Sequence, residues 1–129
     1  MPGAGSALDA RTQQRLRDGV EGDVMFDAFS RGRYATDASV YQVMPLGVVI
    51  PKTFADVEAT LAVAREAGVS VLPRGGGISQ RGQTINDSIV IDMSRNLARV
   101  VDLDTQAMSA TVEPGIVLDH LNAQLKSRK

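Results

Sequence analysis

Apolar and polar positions in residues 45–129 follow a strand–helix–strand order. Residues 48–50 form a short apolar run that ends at Pro51, and this pattern predicts a buried strand. A helical pattern follows, and a second apolar run at residues 69–72 predicts the next strand. Two strands joined by one helix make a βαβ unit, so we expect them to be parallel with a right-handed crossover.

The helix of this unit carries its own start and stop signals. Thr53 followed by Asp56 has the form of an N-cap with a carboxylate three residues later. Gly68 stands where a glycine commonly ends a helix. The apolar residues recur at spacings of three and four, which predicts one buried stripe. Its members are Phe54, Val57, Leu61 and Ala64.

After residue 83 the pattern becomes that of strands. Three strands are predicted there, at residues 88–93, 98–103 and 107–113, with a turn at 104–106. Pro114 and Gly115 then open a helix whose apolar stripe is Leu118, Leu121 and Leu125. The predicted fold class is α+β: a βαβ unit followed by antiparallel strands, in a small mixed sheet with flanking helices.

The first 45 residues are less regular. Residues 1–6 are small and Gly-rich and are predicted to be disordered. Residues 8–18 predict a helix with few apolar positions. Residues 19–45 lack periodicity and predict an irregular segment, apart from a short strand at 40–44.

Composition excludes several kinds of function. A net charge of −1 argues against a general nucleic-acid binder, which carries a basic surface. The absence of Cys excludes a disulfide scaffold, a thiolate metal site and a Cys nucleophile. The single His120 excludes a multi-His metal site, and we assign it no catalytic role because helical histidines without partners are mostly surface residues. No metal site is predicted.

Location is weakly specified by the sequence. No run of about 18 apolar residues exists, so no transmembrane segment is predicted. The N-terminus lacks the basic and apolar regions of a secretory signal. We therefore expect a cytoplasmic protein, with peripheral attachment to the inner face of the membrane as the alternative.

Three consecutive glycines stand out in residues 73–83, P-R-G-G-G-I-S-Q-R-G-Q, which we call the glycine loop. The loop lies between two predicted strands. Without side chains in the way, backbone N–H groups can converge on an anion such as a diphosphate. A Gly-rich turn with no ligand is the alternative that these residues alone leave open.

Two other phosphate-binding motifs do not fit the glycine loop. The dinucleotide fingerprint G-x-G-x-x-G precedes a helix, whereas here Gln80 takes the place of the third glycine and a strand follows. The NTPase motif G-x-x-x-x-G-K-[ST] matches in spacing from Gly77 onward. It has Gln83 where a lysine must reach the phosphates, so this motif is rejected as well.

The glycine loop resembles the flavin-binding loop of the vanillyl-alcohol oxidase superfamily. It is most similar to that of FAD-linked dehydrogenases of 2-hydroxy acids, which carry P-R-G-G-G-T-S-x-x-G-Q. Other stretches follow in the family's order: V-V-I-P at 48–51, V-I-D-M-S-R at 90–95, V-E-P-G at 112–115 and L-N-x-x-L at 121–125. Residues 34–42 look like the lead-in of large members that append an iron–sulfur region.

The resemblance covers about residues 30–129 and implies two parts. Residues 1–30 would be an N-terminal arm, and residues 31–129 would be the N-terminal portion of an FAD-binding domain of the PCMH type. The chain resembles the first subdomain alone. It is therefore expected to be a truncated piece of a longer enzyme.

The resemblance also implies FAD and a set of residues that bind it. Backbone N–H groups would cradle the diphosphate at Gly75, Gly76, Gly77, Ile78 and Ser79. The hydroxyl of Ser79 would add a hydrogen bond. Ile78 stands where these dehydrogenases usually have Thr, and where the berberine-bridge branch often has a His bonded to the flavin. The implied FAD is therefore non-covalent.

Three further residues complete the implied site. Arg74 would offset phosphate charge, although an Arg after a strand is as often part of a surface ion pair. Gln83 would contact the cofactor, or be a solvated loop residue. Gly115 would let the backbone approach the cofactor closely, or Pro114 and Gly115 would simply start a helix.

The implied activity is oxidation of a D-2-hydroxy acid, with hydride transfer to flavin N5. The piece alone would be inactive, because the remaining FAD subdomain and the substrate domain would be its partners. An exposed apolar face should favour self-association, and FAD affinity should be weakened. A non-enzymatic nucleotide-binding or interaction module on the same fold is the alternative.

Overall fold

The computed structural model describes residues 7–128, and the disorder predicted for residues 1–6 lies outside this range. Four helices and six strands make up the described part. In chain order they are α1 (Ala10–Gly19), β1 (Asp23–Met25), α2 (Ala28–Gly32), β2 (Gly47–Ile50), α3 (Phe54–Ala67), β3 (Val71–Arg74), β4 (Ile89–Asp92), β5 (Val100–Asp104), β6 (Ser109–Val112) and α4 (Leu118–Lys126).

The larger sheet has four strands in the order β1-β2-β4-β3. β2 and β3 both pair parallel with β4, which lies between them, and β1 pairs antiparallel with β2. The strands of the βαβ unit are therefore parallel, as predicted. The strand after the glycine loop enters the sheet as a parallel strand, while β5 and β6 pair antiparallel. The α+β class with a small mixed sheet and flanking helices is confirmed.

β2 and β4 are fully buried because both faces of the sheet are covered. On one face, Val49 and Ile89 pack with Leu16 of α1 and Val63 of α3. On the opposite face, other apolar residues of the same strands pack around Tyr34. The two faces explain why these strands appear in the sequence as continuous apolar runs.

The ends of α3 match the prediction. Thr53 caps the helix, because its hydroxyl accepts the N–H of Asp56 at 3.3 Å. Gly68 ends it with a φ of 69°, a left-handed conformation that favours glycine. The carboxylate of Asp56 also has partners outside the helix start. It accepts the N–H groups of Glu21, Gly22 and Lys52 at 2.9, 3.0 and 2.8 Å.

The buried face of α3 differs from the predicted stripe. Its buried residues are Asp56, Thr60, Val63 and Ala64. Phe54 and Leu61 of the predicted stripe are 57% and 42% exposed, so the prediction is wrong at these two positions. Asp56 and Thr60 can occupy the buried face because their polar groups have hydrogen-bond partners. The Thr60 hydroxyl, for example, donates to the Asp56 carbonyl at 2.8 Å.

Residues 19–45, predicted to be irregular, contain β1 and α2. β1 has three residues, too few for an alternating pattern, and it is held by its pairing with β2. Asp27 caps α2 by accepting the N–H of Ser30 at 2.8 Å. The strand predicted at 40–44 is wrong, because this region contributes an isolated bridge between Thr36 and Gln42.

β5 and β6 form a separate two-stranded sheet. Their connection includes the turn predicted at 104–106, where Asp104 accepts the N–H groups of Gln106 and Ala107 at 2.9 Å each. β6 begins after Met108, which has a φ of 53° and is 91% exposed. The predicted hairpin is therefore present, and its second strand is shorter than expected.

α4 begins at Leu118, later than the predicted opening at Pro114. Pro114 and Gly115 form a turn instead, in which the Gly115 N–H donates to the Leu97 carbonyl at 2.8 Å. α4 buries none of its residues in the described part of the chain. None of the helices within residues 7–128 combines the length and apolar character needed to cross a lipid bilayer.

Candidate cofactor-binding site

The glycine loop leaves the carboxyl end of β3, and the chain then returns to the start of β4. Because β3 and β4 are parallel neighbours, this connection runs back along the length of the sheet. Gly77 and Gly82 have φ values of 68° and 77°, which other residues rarely adopt. The backbone shape of the loop therefore requires glycine at both positions.

Residues 75–79 present free backbone donors. Among the hydrogen bonds of residues 7–128, none is donated by a backbone N–H of residues 75–79. The Ile78 side chain is 80% exposed and Gly76 is exposed, so the segment is accessible. Successive unpaired N–H groups beside a left-handed residue form the kind of concavity that binds anions.

Arg74 turns its guanidinium underneath this segment. Its Nη1 donates to the Thr84 carbonyl at 3.1 Å, and its Nη2 donates to the Thr36 carbonyl at 2.9 Å. A Cβ atom on Gly77 would lie 2.4 Å from Nη2. Arg74 forms no ion pair with any residue of the described range. Its positive charge therefore lies close to the free N–H groups and is not neutralised by a carboxylate.

Tyr34 lies against the guanidinium, with its ring centroid 5.3 Å from Arg74 Cζ, a cation–π contact. The Tyr34 hydroxyl donates to Asp92 Oδ2 at 2.6 Å. Asp92 is the register partner of Arg74 at the carboxyl ends of β4 and β3. Burial, together with the hydrogen bond to Asp92, raises the pKa of Tyr34 to about 12, so its phenol remains a donor at neutral pH.

A second set of contacts holds the far end of the glycine loop. The Thr84 hydroxyl donates to Asp37 Oδ2 at 3.1 Å, and Asp37 Oδ1 accepts the N–H of Ser39 at 2.8 Å. A Cβ atom on Gly82 would lie 3.1 Å from a ring carbon of Tyr41. Residues from one short segment therefore contact the loop near both of its ends.

Ser79 and Gln83 bond to each other within the loop. The Ser79 hydroxyl donates to Gln83 Oε1, and Ser79 Oγ accepts the Gln83 N–H at 3.3 Å. The same oxygen accepts the N–H of Arg81 at 3.4 Å. Ser79 is half-buried and Gln83 is exposed. The structure therefore brings these two predicted site residues side by side.

The V-E-P-G turn, residues 112–115, lies beside the start of the loop. A Cβ atom on Gly75 would lie 3.7 Å from the Pro114 carbonyl oxygen. Gly115 is buried, and a Cβ atom on it would lie 2.0 Å from the Met93 carbonyl oxygen. A contact within the chain therefore already requires glycine at 115, and its approach to a cofactor stays a prediction.

Glu113 is buried in this turn, with 1% of its surface exposed. Its Oε1 accepts from Arg99 Nε at 2.6 Å, whereas Oε2 has no partner within residues 7–128. A buried carboxylate oxygen without a donor is unfavourable. The turn next to the glycine loop therefore retains one free acceptor.

Comparison with known families identifies the domain. A family model described as an FAD binding domain matches residues 45–129, more than half of the chain. The chain belongs to this family. FAD is therefore the cofactor of the domain, as the glycine loop implied.

Curated relatives agree with this assignment. A D-2-hydroxyglutarate dehydrogenase of Pantoea ananatis is 40% identical over 111 residues, which covers 84% of this chain and 11% of the relative. The enzyme of the same name from Escherichia coli is 36% identical over 117 residues, with 88% and 12% covered. Glycolate oxidase subunit GlcD of Bacillus subtilis is 30% identical over 109 residues, with 81% and 23% covered. The chain thus spans about a tenth of the length of the first two relatives.

Solved structures show the same fold. An alkyldihydroxyacetonephosphate synthase superposes with a TM-score of 0.81 at 23% identity, covering 94% of this chain and 25% of that one. Wild-type BBE-like 1 of Physcomitrella patens gives a TM-score of 0.75 at 24% identity, covering 91% and 26%. At these identities the likeness supports the fold alone.

Sequence reasoning missed the residues that hold the loop from outside. Tyr34, Asp37 and Thr84 form three of its contacts and were not among the predicted site residues. The available signal was the resemblance of residues 34–42 to the lead-in of the family. His120, the one histidine, is exposed on α4.

Proposed function

We propose that the glycine loop binds the diphosphate of FAD through the backbone N–H groups of residues 75–79. The observation that carries this proposal is that these five donors have no hydrogen-bond partner within residues 7–128. Arg74 supplies positive charge beneath them. The proposed cofactor-binding residues are Arg74, Gly75, Gly76, Gly77, Ile78, Ser79, Gln83 and Gly115.

We further propose that FAD is held without a covalent bond. Ile78 exposes a hydrocarbon side chain that cannot attach to the flavin. The chain has no Cys, and its one His lies on α4, outside the contacts of the loop. Release of the flavin by denaturation, followed by its recovery in the protein-free filtrate, is the expected result. Flavin that stays with the precipitated protein contradicts this proposal.

The parent enzyme is proposed to oxidise a D-2-hydroxy acid. FAD, when bound, supplies the hydride acceptor for that reaction. The support is the names of the relatives, which are dehydrogenases and oxidases. This chain would contribute the diphosphate site, and the remaining FAD subdomain and a substrate domain would be its partners. By itself the chain is proposed to be inactive and to self-associate, and we keep a cytoplasmic location as a prediction from the sequence.

The diphosphate assignment is tested by comparing three ligands on the chain. FAD and ADP contain a diphosphate, whereas riboflavin contains the flavin ring without it. We expect FAD and ADP to bind with similar affinity in calorimetric titrations, and riboflavin to bind at least about tenfold more weakly, the loss expected when charge-assisted hydrogen bonds are removed. Equal binding of riboflavin and FAD, or no binding of FAD or ADP at millimolar concentration, contradicts the proposal.

The activity is tested on a longer protein that contains this chain. We expect reduction of its bound flavin, seen as loss of absorbance near the visible flavin bands, on addition of D-2-hydroxy acids and not of the L enantiomers. A protein that binds FAD but is reduced by neither enantiomer supports the alternative of a non-enzymatic nucleotide-binding module.

A further inference from the structure

We propose that residues 34–41, called the brace below, position the glycine loop for ligand binding by holding both of its ends. This inference rests on the proposed function, because it assigns indirect roles to residues that do not touch the ligand. Arg74 keeps its proposed place in the cofactor site and, in addition, links the brace to the loop.

The first anchor lies at the start of the loop. Arg74 donates from Nη2 to the Thr36 carbonyl, and its guanidinium stacks on Tyr34. The same guanidinium donates from Nη1 to the Thr84 carbonyl, just beyond the end of the loop. One side chain therefore joins the brace, the start of the loop and its end. A guanidinium can make these contacts together because its donors lie in a rigid plane.

The second anchor lies at the end of the loop. Thr84 donates its hydroxyl to Asp37, whose other oxygen is fixed by the N–H of Ser39. The ring of Tyr41 packs against Gly82, also near the end of the loop. The bond between Thr84 and Asp37 joins residues 47 positions apart in the chain, so the brace reaches the loop by tertiary folding.

The brace matters because the donors of the loop have no partners of their own. A segment whose N–H groups are free gains no rigidity from internal backbone hydrogen bonds, and ordering it on binding would cost affinity. Contacts from outside can order the loop while leaving its donors available. The brace therefore reduces the ordering required when an anion binds.

The test uses Thr84→Val, which removes the hydroxyl that bonds to Asp37 and keeps the side-chain shape. Thr84→Ser restores the hydroxyl, and Thr111→Val makes the same change at an exposed position on β6. Backbone ¹⁵N order parameters of the ligand-free chain report loop rigidity directly. FAD affinity, from flavin fluorescence titration, reports the consequence.

In the wild-type chain we expect the order parameters of residues 75–83 to be near about 0.85, the value of rigid backbone. Thr84→Val should lower them towards about 0.6 without changing those of β4. It should weaken FAD binding about three- to tenfold, as expected for one lost hydrogen bond. Thr84→Ser and Thr111→Val should match the wild type in both measurements.

Three results overturn the proposed role of the brace. The first is a loop that is already flexible in the wild type, and the second is a loop as rigid in Thr84→Val as in the wild type. The third is a loss of order in β4 of Thr84→Val as large as the loss in the loop. Arg74→Lys is a second test of the brace, since lysine keeps the positive charge but cannot reach the carbonyls of both Thr36 and Thr84. Loss of loop order and of affinity in Arg74→Lys supports the brace, and unchanged values overturn it. If the wild type binds no FAD, the order parameters still decide this inference, while the proposed function fails by itself.

Discussion

The hydroxyl of Tyr34 lies 2.6 Å from Oδ2 of Asp92 and joins the N-terminal third of the chain to the end of the central strand. Both side chains are buried. The other oxygen of Asp92 accepts from the N–H and the hydroxyl of Ser94, at 2.9 and 2.6 Å. Three donors therefore satisfy the hydrogen-bonding capacity of this buried side chain.

Replacing Tyr34 by Phe should destabilise the fold by about 1–3 kcal/mol, because it removes a donor from a buried carboxylate. Tyr41→Phe is the matched control, since Tyr41 is 56% exposed. Urea unfolding followed by circular dichroism measures both variants. Equal stability of the two variants would show that the Tyr34–Asp92 bond contributes nothing.

The same bond should make stability depend on alkaline pH. The pKa of Tyr34 rises from 10.0 to about 12 in the folded chain, so between these values the folded state holds a proton that the unfolded state has lost. The contribution of the Tyr34 phenol to the free energy of unfolding is therefore complete below about pH 10 and disappears as the pH rises towards 12. The difference in unfolding free energy between wild type and Tyr34→Phe should shrink over that range, and a constant difference would exclude this linkage.

Two neighbouring glycines of the loop should respond differently to alanine. Gly77 has a φ of 68° and a Cβ there would overlap the Arg74 guanidinium, so Gly77→Ala should weaken FAD binding at least about tenfold. A Cβ on Gly76 would lie 3.9 Å from its nearest neighbour, an Ile78 carbon, so Gly76→Ala should bind nearly as well as wild type. Equal losses in the two titrations would mean that backbone shape is not what limits binding.

Gly115→Ala should be poorly tolerated even without a ligand. The new methyl group would lie 2.0 Å from the Met93 carbonyl oxygen, so the backbone must move, at a cost of about 1–3 kcal/mol or more. Gly32→Ala is the control, because no atom lies within 4 Å of its Cβ position. Thermal unfolding should show a lower midpoint for Gly115→Ala alone. An unchanged midpoint would leave cofactor contact as the reason for this glycine.

Asp56 should make the fold sensitive to acid. Burial raises the pKa of this carboxyl, but the N–H groups of Lys52, Glu21 and Gly22 together lower it further, and the net shift is downward. Its contribution is therefore present above the ordinary pKa near 4 and is lost as the pH falls through the lowered value. Asp56→Asn should remove part of this acid sensitivity and cost about 2 kcal/mol or more at pH 7.

Asp27→Asn is the control for this prediction. Asp27 also has a lowered pKa, caused by the Ser30 N–H, but it is an exposed helix cap. Asn caps helices as well as Asp does, so stability at pH 7 should change little. Melting curves between pH 2 and 7 compare the two variants. Similar behaviour of both would show that the three N–H contacts of Asp56 are not special.

The parts of the fold that the sequence predicted are those with strong local signals. Gly68 ends α3 because a left-handed residue is needed there, and apolar runs identify β2 and β4. The buried face of α3 was not predictable from apolar periodicity, since Asp56 and Thr60 are buried by hydrogen bonds to particular partners. Two partners of Asp56, Glu21 and Gly22, lie just before β1, in a segment too short to show a pattern.

The candidate site also has parts with a signal in the sequence and parts without one. The glycine loop was visible because its conformation demands a residue type. The family match confirms FAD as the cofactor of the domain, and the assignment of the loop to its diphosphate stays a proposal. Arg74 is the last residue of β3, and its partners are the carbonyls of Thr36 and Thr84. Carbonyl acceptors leave no trace in a sequence, because every residue has one.

The central position of β4 has a consequence for how the site forms. β2, α3 and β3 precede β4 in the chain, yet β4 lies between the two strands and pairs with both. β2 and β3 therefore have no sheet partner in common until β4 pairs with both of them. The glycine loop lies in the connection from β3 to β4, so its shape depends on that pairing. A chain that ended within residues 75–88 would lack β4, an inner strand of the sheet, as well as part of the region that holds the proposed diphosphate site. The flavin affinity proposed for the glycine loop should accordingly require a paired β4, so the loop and the sheet are expected to be lost together on unfolding.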